Sequence, residues 1–216
     1  MIITIDGPAA SGKSSVAKEL AKELGFYYLY TGLLYRGTAY ILAEILKIDP
    51  DKFSSLTLED LNFVKNMGYY YKEGEPQIFF EGENITEKLK NPAIDQIASK
   101  ISTNKYVRQA LLEMQQDIGK KYDIIADGRD CGSVVFPNAD YKFFLTASLE
   151  VRARRKSKMD GMPLEEAMEE LAIRDERDKS RDVAPLIVPK DAVTIDNSNI
   201  SQVETLQEFL KYIDFK

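Results

Sequence analysis

The stretch "IDGPAASGKSS", Ile5 to Ser15, stands directly behind the apolar run Met1-Ile2-Ile3-Thr4-Ile5. Within it, Gly7-Pro8-Ala9-Ala10-Ser11-Gly12-Lys13-Ser14 meets the pattern G-x-x-x-x-G-K-[ST] at every fixed position. Its glycines let the backbone wrap closely, so that successive N–H groups point at phosphate oxygens. The apolar residues ahead of it predict a buried strand from Ile2 to Asp6. Behind it, Val16, Ala17, Leu20, Ala21 and Leu24 recur at helical spacing, and Gly25 supplies the stop. The N-terminal end of that helix adds a positive partial charge next to the loop. In such a loop Lys13 reaches the β- and γ-phosphates, and the Ser14 hydroxyl joins the Mg²⁺ shell. Strand, loop and helix in this order predict a site for a nucleoside triphosphate.

Further along, Phe26 to Leu29, Tyr122 to Ala126, Tyr141 to Leu145 and Ala192 to Ile195 read as short apolar strands. Gly32 opens a helix that Asp49-Pro50 ends, and Ser201 to Ile213 reads as a closing helix. Strands separated by helices require right-handed crossovers. The expected fold is therefore α/β, a parallel sheet of about five strands with helices on both faces. One segment breaks the rhythm. From Met67 to Gly82, aromatic runs flank a Gly/Pro turn, the signature of an antiparallel hairpin. Tyrosines in strands are usually packing residues, so this hairpin is read as packing and not as a base-stacking platform.

The totals fit this picture. The 216 residues suit one domain with a small insertion, and 44% apolar with 30% charged residues describe an ordinary globular chain. No apolar run approaches the roughly 20 residues that span a bilayer, and no secretory signal is legible. One cysteine, Cys131, and no histidine exclude an internal disulfide and disfavour zinc, which fits a reducing, cytoplasmic setting. A net charge of −6 argues against a broad grip on nucleic acid. No broad apolar stripe is left over, so a monomer is expected.

A phosphate loop alone does not select a reaction. Asn104-Lys105-Tyr106-Val107 lacks the aspartate that would complete the guanine-reading Asn-Lys-x-Asp of GTPases. Three stretches point instead to a second anion site: Thr31 to Arg36, Asp127 to Asp130, and Arg174 to Arg181. The first two follow predicted strands, where open α/β sheets bind ligands. Arg174, Asp178 and Arg181 are spaced four and three apart and share a face if helical. Arginine suits a phosphate because its planar fork grips oxygens in pairs and stays charged.

The motifs IDGPAASGKS, TGLLYR, VRQALL, IADGRDCGSVVFPNAD, FFLTAS and RDERDKSRDVAPL together resemble the bacterial cytidylate kinases, over Ile3 to about Ser201. The resemblance implies Mg²⁺-assisted transfer of the γ-phosphoryl of ATP to CMP or dCMP. It also implies one kinase domain over 1–216, with a monophosphate-binding insertion near 32–103, its hairpin near 67–82, and a short lid near 150–163. On this basis Gly7, Pro8, Ala9, Ala10, Ser11, Gly12, Lys13, Ser14, Ser15, Arg152 and Arg155 are assigned to ATP. Arg36, Arg129, Arg174 and Arg181 are assigned to the CMP phosphate. Ser99, Arg108 and Asp130 are assigned to the cytosine edge, Asp178 to the sugar hydroxyls, and Thr31 to the CMP site. An acidic acceptor beside serine and arginine donors complements cytosine, whereas uracil would turn a carbonyl toward Asp130. Lys13, Arg129, Arg155 and Asp127 are the expected catalytic set, Asp127 orienting the Mg²⁺ shell with Ser14, directly or through water.

Two positions depart from the family pattern. Tyr30 stands where an aspartate usually precedes the TGxxYR motif, and Gln115-Gln116 stands where Gln-Arg is common. Kinases of UMP or dTMP, and a non-catalytic ATP-binding sensor, are the competing readings.

Overall fold

The computed structural model describes residues 1–214. From the N-terminus the chain runs through β1 (Ile2–Asp6), α1 (Lys13–Leu24), β2 (Tyr27–Tyr30) and α2 (Thr31–Tyr40). A wider helical turn, Ile41–Ile45, prolongs α2. Next come β3 (Met67–Lys72), β4 (Glu75–Phe80), β5 (Glu83–Asn84), α3 (Pro92–Ile101) and α4 (Lys105–Lys121). The remainder is β6 (Ile124–Gly128), β7 (Tyr141–Thr146), α5 (Leu149–Asp160), α6 (Leu164–Lys179), β8 (Val193–Asp196) and α7 (Gln202–Leu210). A five-stranded parallel sheet takes the order β2-β6-β1-β7-β8, and β3-β4-β5 form a second, antiparallel sheet. The expected fold class is the observed one.

By packing, the chain divides into two compact units, Met1–Phe26 with Asp123–Lys216, and Tyr27–Tyr122. In the first, β1 pairs in parallel with β6 (Ile3↔Ile125) and with β7 (Ile3↔Tyr141). Consecutive strand residues face opposite sides, yet Ile3, Thr4, Ile5 and Asp6 are all 0% exposed, so both faces of β1 are covered. Phe209 of α7 lies 4.6 Å from Phe143 of β7, ring centre to ring centre. Small side chains set the contact of α5 with α6, where Ala153, Ala167 and Leu171 gather around Ala9 of the phosphate loop.

In the second unit, β3 and β4 pair from Met67↔Phe80 to Lys72↔Glu75. The connecting residues Glu73 and Gly74 both have positive φ, 54° and 77°, which is the two-residue turn that matches strand twist. Tyrosines fasten this hairpin to β2. The Tyr69 hydroxyl accepts from the Tyr30 N–H and donates to the Tyr28 carbonyl, both at 2.8 Å. The Tyr71 N–H donates to the Tyr27 hydroxyl at 2.8 Å, and Tyr27 stacks on Tyr122 at 4.4 Å. These aromatics are packing residues, as the sequence suggested. This unit, 27–122, also takes in elements on either side of the hairpin. The tyrosine contacts bring in β2, and Asn104 brings in α4. Asn104 caps that helix, accepting from Tyr106 N–H at 2.8 Å, while its amide donates to the Leu56 carbonyl at 3.1 Å. At the other end of the chain the closing helix stops at Leu210, short of the expected Ile213.

Candidate active site

The phosphate loop leaves β1 through residues whose backbone angles the sequence dictates. Gly7 has φ 149°, and a Cβ there would lie 2.0 Å from the Leu145 carbonyl oxygen, so only glycine fits. Gly12, at φ 93°, turns the chain into α1, whose N-terminus carries no side-chain cap. Its leading N–H groups are thereby left for an anion. Lys13 Nζ donates to the Pro8 carbonyl at 2.7 Å and approaches Ser11 Oγ at 3.4 Å. Burial, and next the neighbouring Arg129, hold the Lys13 pKa well below its usual value, against the pull of Asp127 and Asp6.

Ser14 Oγ donates to Asp127 Oδ2 at 2.7 Å. Asp127 sits near the end of β6, buried, and in register beside Ile5. Among the described residues no cluster of three or more His, Cys, Asp or Glu could hold a metal. Mg²⁺ uses one or two protein oxygens and takes the rest from water and substrate phosphates. The hydroxyl and carboxylate pair of Ser14 and Asp127 fits such an ion.

Two arginines of α5 and one asparagine after β8 grip the loop by its carbonyls. Arg152 donates to Ala147 O at 2.9 Å, Ala9 O at 3.2 Å and Asp175 Oδ2 at 2.7 Å, and is only 5% exposed. Arg155 donates to Ser11 O at 3.1 Å and to Asn197 Oδ1 at 3.0 Å. Asn197 Nδ2 also donates to Ser11 O at 3.0 Å. Within 150–163, α5 runs to Asp160 and Gly161 caps it, and the first arginine on this helix, Arg152, is committed to protein oxygens. Asn197 and Asp175 were not singled out from sequence. Nothing in a strand-end asparagine or a mid-helix aspartate signals a partner more than 20 residues away.

A second basic group surrounds Asp178. Its Oδ2 accepts from Arg129 Nε at 2.8 Å and its Oδ1 from Arg181. Burial works to raise the Asp178 pKa, but Arg129, Arg181 and Arg174 outweigh it and hold the carboxylate below its usual range. Arg174 and Arg129 also act electrostatically on Lys13. Loop lysine and three arginines therefore share one neighbourhood within the first unit. Arg174 and Asp178 lie on α6, with Arg181 just beyond its end. Asp130, buried, follows Arg129.

The remaining assigned residues belong to the second unit. Arg36 Nε pairs with Asp95, and the guanidinium lies 5.4 Å from the centre of the Tyr30 ring. Thr31 and Ser99 are buried on α2 and α3. Arg108 is buried on α4, donates to Ser102 O at 3.1 Å, and lies 5.6 Å over the Tyr35 ring.

A phosphate loop on a parallel sheet, with a buried acidic strand end and a ring of guanidinium groups, defines a P-loop phosphotransferase. The family model for cytidylate kinase matches residues 3–215, and the chain belongs to that family. It is 42% identical to the cytidylate kinase of Thermodesulfovibrio yellowstonii over 98% of this chain and 97% of that one. Against the cytidylate kinase of Thermotoga sp. strain RQ2 it is 43% identical, over 98% and 96%. An uncharacterized protein from Eubacterium ventriosum shares the fold, with TM-score 0.56 at 15% identity over 99% of this chain and 98% of that one. Among the described residues no helix is long and apolar enough to cross a membrane.

Proposed function

We propose that this enzyme transfers the γ-phosphoryl of ATP to CMP or dCMP, giving ADP and CDP or dCDP. The observation that carries the reading is that Arg129 and Arg181 bond the Asp178 carboxylate with Arg174 acting beside them, while Arg129 and Arg174 also act on Lys13 of the phosphate loop. One cradle serves the triphosphate, and a separate set of planar donors serves a monophosphate.

In this reading the loop N–H groups from Gly7 to Ser15 and Lys13 hold the ATP phosphates. Ser14 and Asp127 would hold Mg²⁺, which when bound neutralises charge on the β- and γ-phosphates. Arg129, Arg174, Arg181 and Arg36 fix the CMP phosphate so that one of its oxygens is in line with the γ-phosphorus. That oxygen is already anionic near neutral pH, so no general base is needed, and the lack of histidine is no obstacle. The new O–P bond forms as the bond to the β-phosphate oxygen breaks, and the electron pair leaves with ADP. Ser99, Arg108 and Asp130 read the cytosine edge, Thr31 helps seat CMP, and Asp178 receives the sugar hydroxyls while orienting Arg129 and Arg181. Arg152 and Arg155 act through the loop carbonyls they hold, which keeps the loop N–H groups turned toward the ATP phosphates. The reading also takes the enzyme as a cytoplasmic monomer without nucleic-acid partners, in keeping with its net charge of −6 and single cysteine.

A coupled ADP-release assay with CMP, dCMP, UMP, dTMP, AMP and no acceptor tests it. Turnover with CMP or dCMP well above the others is expected. A preference for UMP or dTMP would overturn the base assignment, and no acceptor-dependent turnover would leave an ATP-binding sensor.

A further inference from the structure

Tyr30, one of the two departures from the family pattern seen in the sequence, makes a contact with Arg36. The guanidinium of Arg36 lies 5.4 Å from the ring centre. Behind it, the Tyr30 ring stacks parallel to Tyr28 at 6.1 Å and 6°. The ring covers Gly32 so closely that a Cβ there would meet Tyr30 Cε2 at 2.8 Å. The Tyr30 backbone is pinned by the hairpin, through its N–H on the Tyr69 hydroxyl. Asp95 accepts from Arg36 Nε. Burial opposes the Arg36 charge, but Tyr30 and Asp95 more than offset it and raise its pKa above the usual value. Tyr30, Arg36, Leu33 and Leu89 line a cavity of about 500 Å³ within the second unit.

We propose that Tyr30 is a positioning residue for the acceptor: ring and hydroxyl, anchored by Tyr69, hold the Arg36 guanidinium in one orientation toward the CMP phosphate. The inference rests on the assignment of Arg36 to that phosphate. It gives the aromatic hairpin a task, since Tyr69 fixes the strand end from which Tyr30 projects. Half-buried contacts of a cation with an aromatic ring, and a hydrogen bond at its edge, set the size of the effect.

The test is a double-mutant cycle on steady-state kinetics. Tyr30→Leu is expected to raise KM for CMP about 3- to 10-fold with KM for ATP unchanged, and Tyr30→Phe, which keeps the ring, to raise it less. In an Arg36→Ala background, Tyr30→Leu should add nothing further, because the group it positions is gone. Gly32→Ala, which displaces the ring while leaving Tyr30 and Arg36 unsubstituted, should also raise KM for CMP, and should lose that effect in a Tyr30→Leu background. If Tyr30→Leu acts equally with and without Arg36, the positioning role is overturned while the Arg36 assignment stands. Should Arg36→Ala itself leave KM for CMP unaltered, assignment and inference fall together. Where Tyr30→Leu lowers the melting temperature sharply, Tyr30→Phe and Gly32→Ala decide the matter.

Discussion

Asp6 ends β1 and commits both carboxylate oxygens to backbone N–H groups, Cys131 at 2.8 Å and Gly132 at 2.7 Å. It thereby anchors the segment that carries Arg129 and Asp130. Gly132 is needed for this approach, because a Cβ would lie 2.7 Å from Thr4 Oγ1. Burial raises the Asp6 pKa from 3.8 to about 6, against the two N–H donors and Lys13, with Asp130 adding to the rise. A raised carboxyl pKa means that the native state holds the proton more tightly than the unfolded chain. Its contribution to stability is fully present below about pH 3.8 and is lost as pH climbs through about 6. Urea unfolding of wild type and Asp6→Asn across pH 4 to 7.5 should show wild type losing ground steadily to the variant as pH rises, then levelling. A pH-independent gap would contradict the assignment. At the monophosphate set, Arg181→Ala removes one of two cations bonded to the buried Asp178. KM for CMP should rise about 30-fold or more, the cost of truncating one member of a buried charge pair, while ATP binding by calorimetry stays near wild type. An equal fall in ATP affinity would mean that the two phosphate sites are not separate.

The phosphate loop is an element whose shape is enforced from outside. Its own sequence allows the turn, but Arg152 holds the Ala9 carbonyl, and Arg155 with Asn197 holds that of Ser11. Those carbonyls point outward when so engaged, which leaves the N–H groups facing the cradle. Asn197→Ala removes the amide donor to the Ser11 carbonyl and the Oδ1 acceptor for Arg155. KM for ATP should rise about 5- to 30-fold, the worth of one or two buried hydrogen bonds, with KM for CMP little changed in the same assay. A matched rise in both would place Asn197 in general stability instead. The hairpin is a comparable case: its strands follow from aromatic runs on either side of a Glu73-Gly74 turn, but the Tyr69 hydroxyl finds its partners on β2.

For the whole molecule, stability is concentrated where the sheet is closed on both faces. Phe209 of α7 is fully buried against Phe143, so Phe209→Ala should lower unfolding free energy by about 3–5 kcal/mol, read from urea denaturation at an unchanged slope. A loss below about 1 kcal/mol would show that α7 contributes little to the core. The division of the chain at Phe26/Tyr27 and Tyr122/Asp123 separates the assigned residues. Loop, lid arginines and the Asp178 cluster belong to one unit, and Thr31, Arg36, Ser99 and Arg108 to the other.

By itself the sequence determined the strand, glycine loop and helix that hold a triphosphate, because those features depend on residues adjacent along the chain. Spacing marked the Arg174, Asp178 and Arg181 group, since helical periodicity brings such residues to one face. It also announced the hairpin through aromatic runs on either side of a Gly/Pro turn. Only the tertiary structure decided that Arg152, paired with Asp175, braces the loop at the Ala9 carbonyl, that Asn197 holds the loop at Ser11, that Asp6 anchors the Cys131 and Gly132 N–H groups, and that Tyr30 lies over Arg36. The reason is physical: a buried polar group must find a hydrogen-bonding partner, and folding supplies it from segments far apart in the chain, whose pairing no local pattern records.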